Sequence, residues 1–250
     1  MPGPLQWRIA RLVERRSETT TAHTLVFEVA GWPGHAAGQH VDVRLTAEDG
    51  YSAQRSYSLA APTNGPRIEL TVQVVRDGEV SPFLADELQI GDAIEVRGPV
   101  GGWFVWPSGD GPDTGPVLLV AGGSGVVPLM AMVRARGAAG SRVPFRLIYS
   151  TRTPDDVYYR SELRQRIRDD AGLDVAILYS RTAALDSMRP PGRVKDADLA
   201  AHGWPAEFEP RTYVCGPTPF VETVADLLVD SGHDARTIRA ERYGSGGGER

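Results

Sequence analysis

The stretch VLLVAGGSGVVPL, residues 117–129, decides the fold class of this chain. The apolar run from Val117 to Ala121 is typical of a buried strand, and glycines follow it at once. Such glycines let the backbone approach a pyrophosphate, and the helix start that follows offers free amide protons. An ordinary strand-to-helix turn has the same sequence. Pro128 also stands where the common G-x-G-x-x-G fingerprint has its last glycine.

Strands alternate with helices from this stretch onward. The strands that we predict are VLLVA (117–121), FRLIYS (145–150), VAILYS (175–180) and TYVCG (212–216). The predicted helices are VVPLMAMVRAR (126–136), TPDDVYYRSELRQRIRDD (153–170, capped by Thr153 with Pro154 in its first turn) and PFVETVADLLVDS (219–231). This alternation predicts a parallel sheet covered by helices on both faces.

The first half of the chain has a different pattern. Alternating or β-branched runs, HTLVFEV (23–29), HVDVRLT (40–46), RIELTVQVV (67–75) and AIEVRG (93–98), are separated by turn residues. They predict a mostly antiparallel sheet, closed as a barrel or packed as a sandwich. One helix interrupts it at SPFLADEL (81–88), with Ser81 as cap and Pro82 at the first helical position.

Turn formers dominate PSGDGPDTGP, residues 107–116, which we interpret as a linker. The sequence therefore predicts two domains, residues 1–107 and 108–250. The glycine-rich tail at Gly246–Gly248 is expected to fray.

Composition excludes several function classes. A formal charge of −5 argues against a general nucleic-acid binder, which needs a basic surface. The single cysteine, Cys215, excludes internal disulfides and clusters with four thiolates, and the 5 histidines lack close metal-ligand spacing. No apolar run is long enough to cross a bilayer, and the N-terminal residues do not read as a secretory signal. We expect a cytoplasmic protein with no metal, nucleic-acid or membrane site.

Two short motifs in the first half suit a nucleotide. Arg55-Ser56-Tyr57-Ser58 opens a predicted strand, and an arginine fork suits phosphate while a neighbouring tyrosine ring can stack on an aromatic group. Asp77-Gly78-Glu79-Val80-Ser81 forms a tight turn into a helix start, where amides and a hydroxyl suit a second phosphate. A plain strand and a plain capped helix have the same local sequences.

These motifs together resemble the ferredoxin-NADP(+) reductase superfamily, a flavin-binding Greek-key barrel followed by a Rossmann-like nicotinamide-nucleotide domain. The elements RSYS, GEVS, GPVGGWF, VAGGSGVVPL, YSTR, YVCGP and the terminal ERYG occur in the family's order over nearly the whole sequence. Each motif alone is short, and their order makes the resemblance specific.

The resemblance implies roles for individual residues. The flavin phosphate and ring would be held by Arg55, Ser56, Tyr57 and Ser58, and its pyrophosphate by Gly78, Val80 and Ser81. Gly122, Gly123, Gly125 and Pro128 would lie under the nicotinamide dinucleotide, and Cys215, Gly216 and Pro217 would line the pocket where nicotinamide meets flavin. Ser58, Cys215, Glu241 and Tyr243 are the expected catalytic-site residues, with Cys215 a positioning group rather than a nucleophile.

The implied activity is hydride transfer from NAD(P)H to FAD and then single-electron transfer to a separate protein such as a ferredoxin or an oxygenase component. FAD is favoured over FMN by the resemblance of GEVS to the family's pyrophosphate turn. Ser150, Arg152 and Arg181 follow predicted strands and suit a ribose 2′-phosphate, which favours NADPH while leaving NADH possible. Two other functions remain open: a reductase of free flavin or ferric complexes, and a non-catalytic redox-sensing subunit.

Overall fold

The computed structural model describes residues 5–107, 115–185 and 187–243. The chain divides into two compact units, Met1–Pro107 with Met130–Ala135, and Ser108–Leu129 with Arg136–Arg250. Most of the predicted linker (residues 108–114) and the predicted frayed tail (246–248) lie outside the described residues. Each unit has a sheet of its own.

The sheet of the first unit is antiparallel and has six strands in the order β4-β3-β6-β1-β2-β5. A bridge from Leu59 to Leu70 joins its two ends, so the sheet closes as the predicted barrel. Strand β6 lies between β1 and β3 rather than beside β5, which is the crossed connection of a Greek key. The strands are β1 (Trp7–Thr19), β2 (Ala22–Val29), β3 (His40–Thr46), β4 (Ser52–Ser58), β5 (Arg67–Gln73) and β6 (Ala93–Val100).

Alternation along these strands explains the barrel core. Leu25 and Phe27 on β2 are fully buried, as are Val43 on β3 and Leu70 on β5, and they pack in one cluster. Residues two apart on a strand share a face, so the run HTLVFEV places Leu25, Phe27 and Val29 inside when the sheet closes.

The motif at residues 55–58 ends a strand instead of opening one. A tight hairpin turn precedes β4, with the amide of Ala47 bonded to the carbonyl of Tyr51 at 2.8 Å and Gly50 at a φ of +89°. The strand therefore begins at Ser52, directly after this turn, and the RSYS motif forms its last four residues.

The predicted helix at residues 81–88 forms, but Ser81 does not cap it. Ser81 lies within the first helical turn, and its hydroxyl accepts a hydrogen bond from the Val75 amide at 3.0 Å. The segment Phe83–Glu87 is wound as a π-helix, and the guanidinium of Arg15 donates to the carbonyls of Leu84 (3.2 Å) and Leu88 (2.5 Å) at its end. The serine thus closes the turn before the helix rather than satisfying the helix amides.

The second unit contains a five-stranded parallel sheet in the order β11-β10-β7-β8-β9. The predicted α/β domain is confirmed, and the first strand of this unit, β7, lies in the middle with all six residues buried. From β7 onward the elements are β7 (Val117–Gly122), α1 (Val126–Ala138, of which Met130–Ala135 is assigned to the first unit), β8 (Phe145–Thr151), α2 (Arg160–Asp169), β9 (Leu173–Tyr179), α3 (Asp196–His202), β10 (Arg211–Pro217), α4 (Thr218–Asp230) and β11 (Ile238–Tyr243).

The strand order reverses direction between β7 and β10. In open parallel sheets of this kind, ligands bind outside the carboxyl ends of the strands at such a switch point. The glycines after β7 and the Cys215–Pro217 segment that ends β10 both lie at this position.

The helix predicted for residues 153–170 divides into two elements. Thr153 and Asp156 bond to each other around a 3₁₀ turn at Pro154–Asp156, and α2 begins only at Arg160. Between them the Tyr149 hydroxyl accepts the Tyr158 amide at 3.3 Å, which removes that amide from any helix. Burial of two consecutive tyrosines, Tyr158 and Tyr159 at 3% exposure each, therefore breaks the helical pattern.

Within the described ranges, no helix combines the length and the apolar character that crossing a membrane requires.

A polar network on the barrel fixes the register of β4. The Ser56 hydroxyl donates to Asp42 at 2.7 Å, and the Arg97 guanidinium donates to the same carboxylate at 2.8 Å. Burial by itself raises the pKa of Asp42, but the hydrogen bonds from Ser56 and Arg97 outweigh it and place the pKa below its usual value. Arg97 and Arg44 lie over the ring of Trp7, at 4.9 and 4.2 Å from its centroid. The carboxylate thus connects β3, β4 and β6.

We predict that Asp42→Ala lowers the free energy of unfolding by about 1–3 kcal/mol, because it leaves Ser56 and Arg97 without their shared acceptor. Because the pKa of Asp42 is depressed, this contribution is present above about pH 4 and disappears as the pH falls through the folded-state pKa. Urea unfolding at several pH values measures it. Glu28→Ala, which removes an exposed pair with Arg67, is the control and should cost under about 1 kcal/mol. Equal losses for the two variants would contradict the role of Asp42.

Candidate functional site

Arg55 and Tyr57 lie on one face of β4, since residues two apart on a strand point the same way. The Arg55 side chain is 58% exposed, and the Tyr57 ring packs against the barrel core. Burial raises the pKa of Tyr57 to about 12, against the opposing charge of Arg55, so its hydroxyl stays protonated. A charged fork and a neutral phenol therefore stand side by side near the end of this strand.

Ser56 faces the other way, and its hydroxyl is already bonded to Asp42 at 2.7 Å. Ser56 thus contacts Asp42 on the opposite face of β4 from Arg55 and Tyr57. Ser58, two residues further on, ends the strand and is half-buried opposite His40.

The turn at residues 75–81 closes tightly on itself. The Gly78 amide donates to the Val75 carbonyl at 2.9 Å, and a Cβ on Gly78 would lie only 3.1 Å from that oxygen and 3.2 Å from Ser81 Oγ. Val80 is buried, with 1% of its surface exposed. The turn therefore favours glycine and has a fixed shape before any ligand binds.

Glu79 joins this turn to β4. Its carboxylate accepts a hydrogen bond from the Tyr51 hydroxyl at 2.8 Å and lies 3.6 Å from the Arg55 guanidinium. The structure therefore brings together the two motifs that were predicted to bind flavin phosphates. The sequence did not predict the contacts of Glu79 with Tyr51 and Arg55, because the GEVS motif was interpreted through its glycine and serine.

At the switch point of the second sheet, glycines permit contacts between backbones. A Cβ on Gly125 would overlap the Cys215 carbonyl oxygen, and one on Gly122 or Gly216 would lie 2.7 Å from the ring of Phe220. The sequence predicts that these glycines let the backbone approach a bound pyrophosphate. The structure shows that these three are also needed for the loop, the end of β10 and the start of α4 to pack together.

The Tyr243 hydroxyl is bonded into the same loop. It accepts from the Gly125 amide at 3.0 Å and donates to the Gly122 carbonyl, while β11 pairs with β10 opposite Pro217. Burial raises the pKa of Tyr243 to about 12, against the effect of the Ser124 hydrogen bond. Residues 118 positions apart in sequence therefore meet at this site.

Cys215 and Glu241 lie opposite each other on β10 and β11. Burial raises the pKa of the Cys215 thiol well above its ordinary value, and the Glu241 charge adds to this, so the sulfur stays protonated. Burial also raises the pKa of Glu241 to about 7. The site thus holds a protonated thiol beside a carboxyl group that exchanges a proton near neutral pH.

The residues predicted to read the nicotinamide ribose lie along the neighbouring strand ends. The Arg181 amide donates to the Arg152 carbonyl at 2.9 Å, so the two arginines follow β8 and β9 side by side, and both are exposed. Ser150 lies opposite Gly122 and is buried at 9% exposure. Pro128 is buried near the start of α1, and Pro217 is exposed at the start of α4.

Among the described residues, no His, Cys, Asp or Glu cluster could hold a metal ion.

Two ranges of the chain match known domain families. The family model for the oxidoreductase FAD-binding domain matches residues 10–105, and that for the oxidoreductase NAD-binding domain matches residues 119–226. The exposed Arg55 beside a closed turn fits a flavin dinucleotide, and the exposed arginines after β8 and β9 fit a nicotinamide dinucleotide. FAD and NAD(P)H as cofactors are thereby confirmed.

Individual relatives agree with these domains. The glycine betaine monooxygenase reductase subunit of Chromohalobacter salexigens is 31% identical over 216 residues, which cover 83% of this chain and 56% of the relative. A ferredoxin-NAD(P)(+) reductase component of naphthalene 1,2-dioxygenase/salicylate 5-hydroxylase systems from a Ralstonia species is 28% identical over 206 residues, covering 82% and 60%. This chain therefore spans a little more than half the length of these relatives.

A solved structure has the same fold. The flavohem-like FAD/NAD binding domain of nitric oxide dioxygenase from Vibrio cholerae O1 biovar El Tor superposes with a TM-score of 0.84 at 24% identity, covering 95% of this chain and 99% of that one. The barrel, the parallel sheet and their sites define a two-unit protein of the flavin- and nicotinamide-binding class. The chain belongs to the superfamily of ferredoxin reductase-like, FAD- and NAD(P)-binding oxidoreductases.

We predict that Gly125→Ala destabilises the second unit by about 1–3 kcal/mol and weakens nicotinamide-nucleotide binding, because its Cβ would overlap the Cys215–Gly216 backbone. Thermal unfolding and titration with NADP+ measure the two effects. Gly192→Ala is the matched control, since nothing lies within 4 Å of its added Cβ. Similar behaviour of the two variants would contradict the packing role of Gly125.

We also predict a pH effect from Glu241. Because its pKa rises from 4.5 to about 7 on folding, the native state holds the extra proton, and the free energy of unfolding should fall as the pH rises between these values. The fall should reach up to about 3 kcal/mol. Glu241→Gln should remove this fall, whereas the exposed control Glu222→Gln should keep it. Urea unfolding at about pH 5 and about pH 8 measures this fall. A Glu241→Gln variant with the wild-type pH profile would refute the assignment of the effect to Glu241.

Proposed function

We propose that this chain is a reductase that takes electrons from NAD(P)H through FAD to a separate one-electron acceptor protein, such as a ferredoxin or an oxygenase component. The observation that carries the proposal is the pairing of two nucleotide-type sites on one chain. Arg55 stands beside the 75–81 turn in the first unit, and the Gly122–Gly125 loop lies at the switch point of the second. The reductase names of the two relatives support the same activity.

In this proposal residues 1–107 bind FAD and residues 108–250 bind the nicotinamide nucleotide. The Arg55 guanidinium binds a flavin phosphate with several N–H donors, and the turn containing Gly78, Val80 and Ser81 holds the pyrophosphate. Tyr57 places its ring against the flavin, and its protonated hydroxyl, like that of Ser58, donates a hydrogen bond. When bound, the flavin accepts two electrons from the nicotinamide and releases them singly.

In the second unit, the Gly122–Gly125 loop and the Cys215–Pro217 segment form the floor for the nicotinamide nucleotide, with Pro128 behind the loop. Cys215 is a positioning residue, since its thiol stays protonated. Glu241, with a pKa of about 7, holds or releases a proton beside it. Tyr243 orients the loop through the Gly125 amide.

We further propose that NADPH is preferred over NADH. The exposed residues Arg152 and Arg181 are joined by a backbone hydrogen bond after β8 and β9, where their guanidinium groups can pair with a 2′-phosphate, and Ser150 lies near the end of β8. A cytoplasmic location stays a prediction.

The test is an anaerobic titration of the flavin-loaded protein with NADPH and with NADH, followed by candidate acceptors. We expect rapid bleaching of the flavin absorbance, faster with NADPH, and reoxidation by an added ferredoxin. Bleaching followed by reoxidation only with free flavin or ferric complexes would favour the free-flavin or ferric reductase. Flavin that stays oxidised would favour the redox-sensing subunit.

We predict that Arg55→Ala and Arg152→Ala affect different nucleotides. Losing a charge-assisted bond to phosphate should raise the Kd for FAD about 10- to 100-fold in Arg55→Ala. In Arg152→Ala the KM for NADPH should rise about tenfold while FAD content and the KM for NADH stay unchanged. Arg67→Ala and Arg168→Ala are exposed-arginine controls in the first and second units. Unchanged flavin content in Arg55→Ala would contradict the phosphate assignment.

A further inference from the structure

Glu79 places a negative charge at the proposed flavin-phosphate site. Its Oε2 lies 3.6 Å from the Arg55 guanidinium, and 52% of the Glu79 side chain is exposed. Its other oxygen, Oε1, accepts the Tyr51 hydroxyl at 2.8 Å, so the carboxylate is held from both sides. The hydrogen bond and the charge of Glu79 also raise the pKa of Tyr51. The carboxylate is thus oriented toward Arg55.

The position of Glu79 matters because Arg55 is the cation that the proposed function gives to the flavin phosphate. The Arg55 side chain is 58% exposed, and one of its N–H groups already donates to the Gln54 carbonyl at 2.6 Å. A carboxylate and a phosphate are alternative partners of the same planar fork. A bound pyrophosphate must therefore displace Glu79 from Arg55 or accept a like charge beside it.

We infer that Glu79 is a built-in competitor for Arg55, which lowers the affinity of the flavin site for FAD and makes the bound flavin exchangeable. The inference rests on the proposed function and adds a regulatory residue to the same site. It also explains the placement of Glu79 in the middle of the turn, between the buried Val80 and the tightly packed Gly78.

The opposite role is chemically possible for a carboxylate at this place. A carboxylate can accept hydrogen bonds from the ribose hydroxyls of a dinucleotide, as acidic residues do in Rossmann domains. In that case Glu79 would strengthen FAD binding rather than weaken it. The sign of the change in FAD affinity on neutralising Glu79 therefore decides between the two roles.

The experiment measures the Kd for FAD of the full chain, freed of flavin, by flavin fluorescence. Glu79→Gln keeps the shape and removes the charge, and we expect its Kd to be about two- to fivefold lower than that of the wild type, the range for an exposed pair. Glu28→Gln is the matched control, because it removes an equally exposed partner of Arg67 in the same unit. Its Kd should equal that of the wild type.

One further measurement separates competition from a general charge effect. In the Arg55→Ala background, Glu79→Gln should gain clearly less affinity, since the shared cation is absent. The advantage of Glu79→Gln should also shrink at about 1 M salt, where the Debye length is only about 3 Å, because the effect of Glu79 is electrostatic. Circular dichroism checks that each variant is folded.

The outcomes are distinct. A wild-type chain that takes up no FAD would refute the proposed function itself. A wild-type chain that binds FAD, with a Glu79→Gln variant of equal or weaker affinity, would overturn the inference and leave the function standing. A gain in affinity that persists in full without Arg55 would also overturn it, because competition for that residue would then be excluded.

Discussion

The contact on which the second unit depends is the approach of the Gly125 backbone to the Cys215 carbonyl, where no side-chain atom fits. It fixes the loop after β7 against the end of β10, at the point where the strand order reverses. The Phe220 ring packs over Gly122 and Gly216, and the Tyr243 hydroxyl bonds to the loop on its other side. The glycines that we propose as the floor under the nicotinamide nucleotide thus also hold the strand ends together.

In the first unit, charged side chains hold the strands of the candidate site in place. Asp42 joins the register of three barrel strands through Ser56 and Arg97, while the preceding residue on β4, Arg55, points the other way toward Glu79. Adjacent residues on this strand therefore make different contacts: Ser56 stabilises the strand through Asp42, and Arg55 is the cation that we propose for the flavin phosphate. The buried Tyr57 and the closed turn at Gly78 give this cation fixed neighbours.

Local patterns in the sequence predicted most of the architecture. The run at 117–121 and its glycines identify β7 and the loop, and alternation in the first half identifies the barrel strands, because burial follows from periodicity alone. The break at Tyr158 and Tyr159 was not predictable from local pattern, since it depends on the hydroxyl of Tyr149 from another element. Ser81 was wrongly predicted as a cap for a similar reason, because its partner is the Val75 amide.

The candidate site shows the same limit. Its residue types could be predicted from motifs and from the resemblance they carry, but its contacts join residues far apart in sequence. The bond between Tyr243 and the Gly125 amide spans 118 positions, and the approach of Glu79 to Arg55 requires a hairpin and a turn to fold first. Such pairings arise from tertiary structure, which propensity and spacing do not encode.

Amide hydrogen exchange of the flavin-free chain tests the central claim, which is that each unit holds its own nucleotide. Adding FAD should slow exchange at residues 52–58 and 75–81, and adding NADP+ should slow exchange at residues 122–126 and 213–217. Two results would contradict the account: protection of the same segments by both ligands, or protection by FAD that is confined to segments outside the barrel.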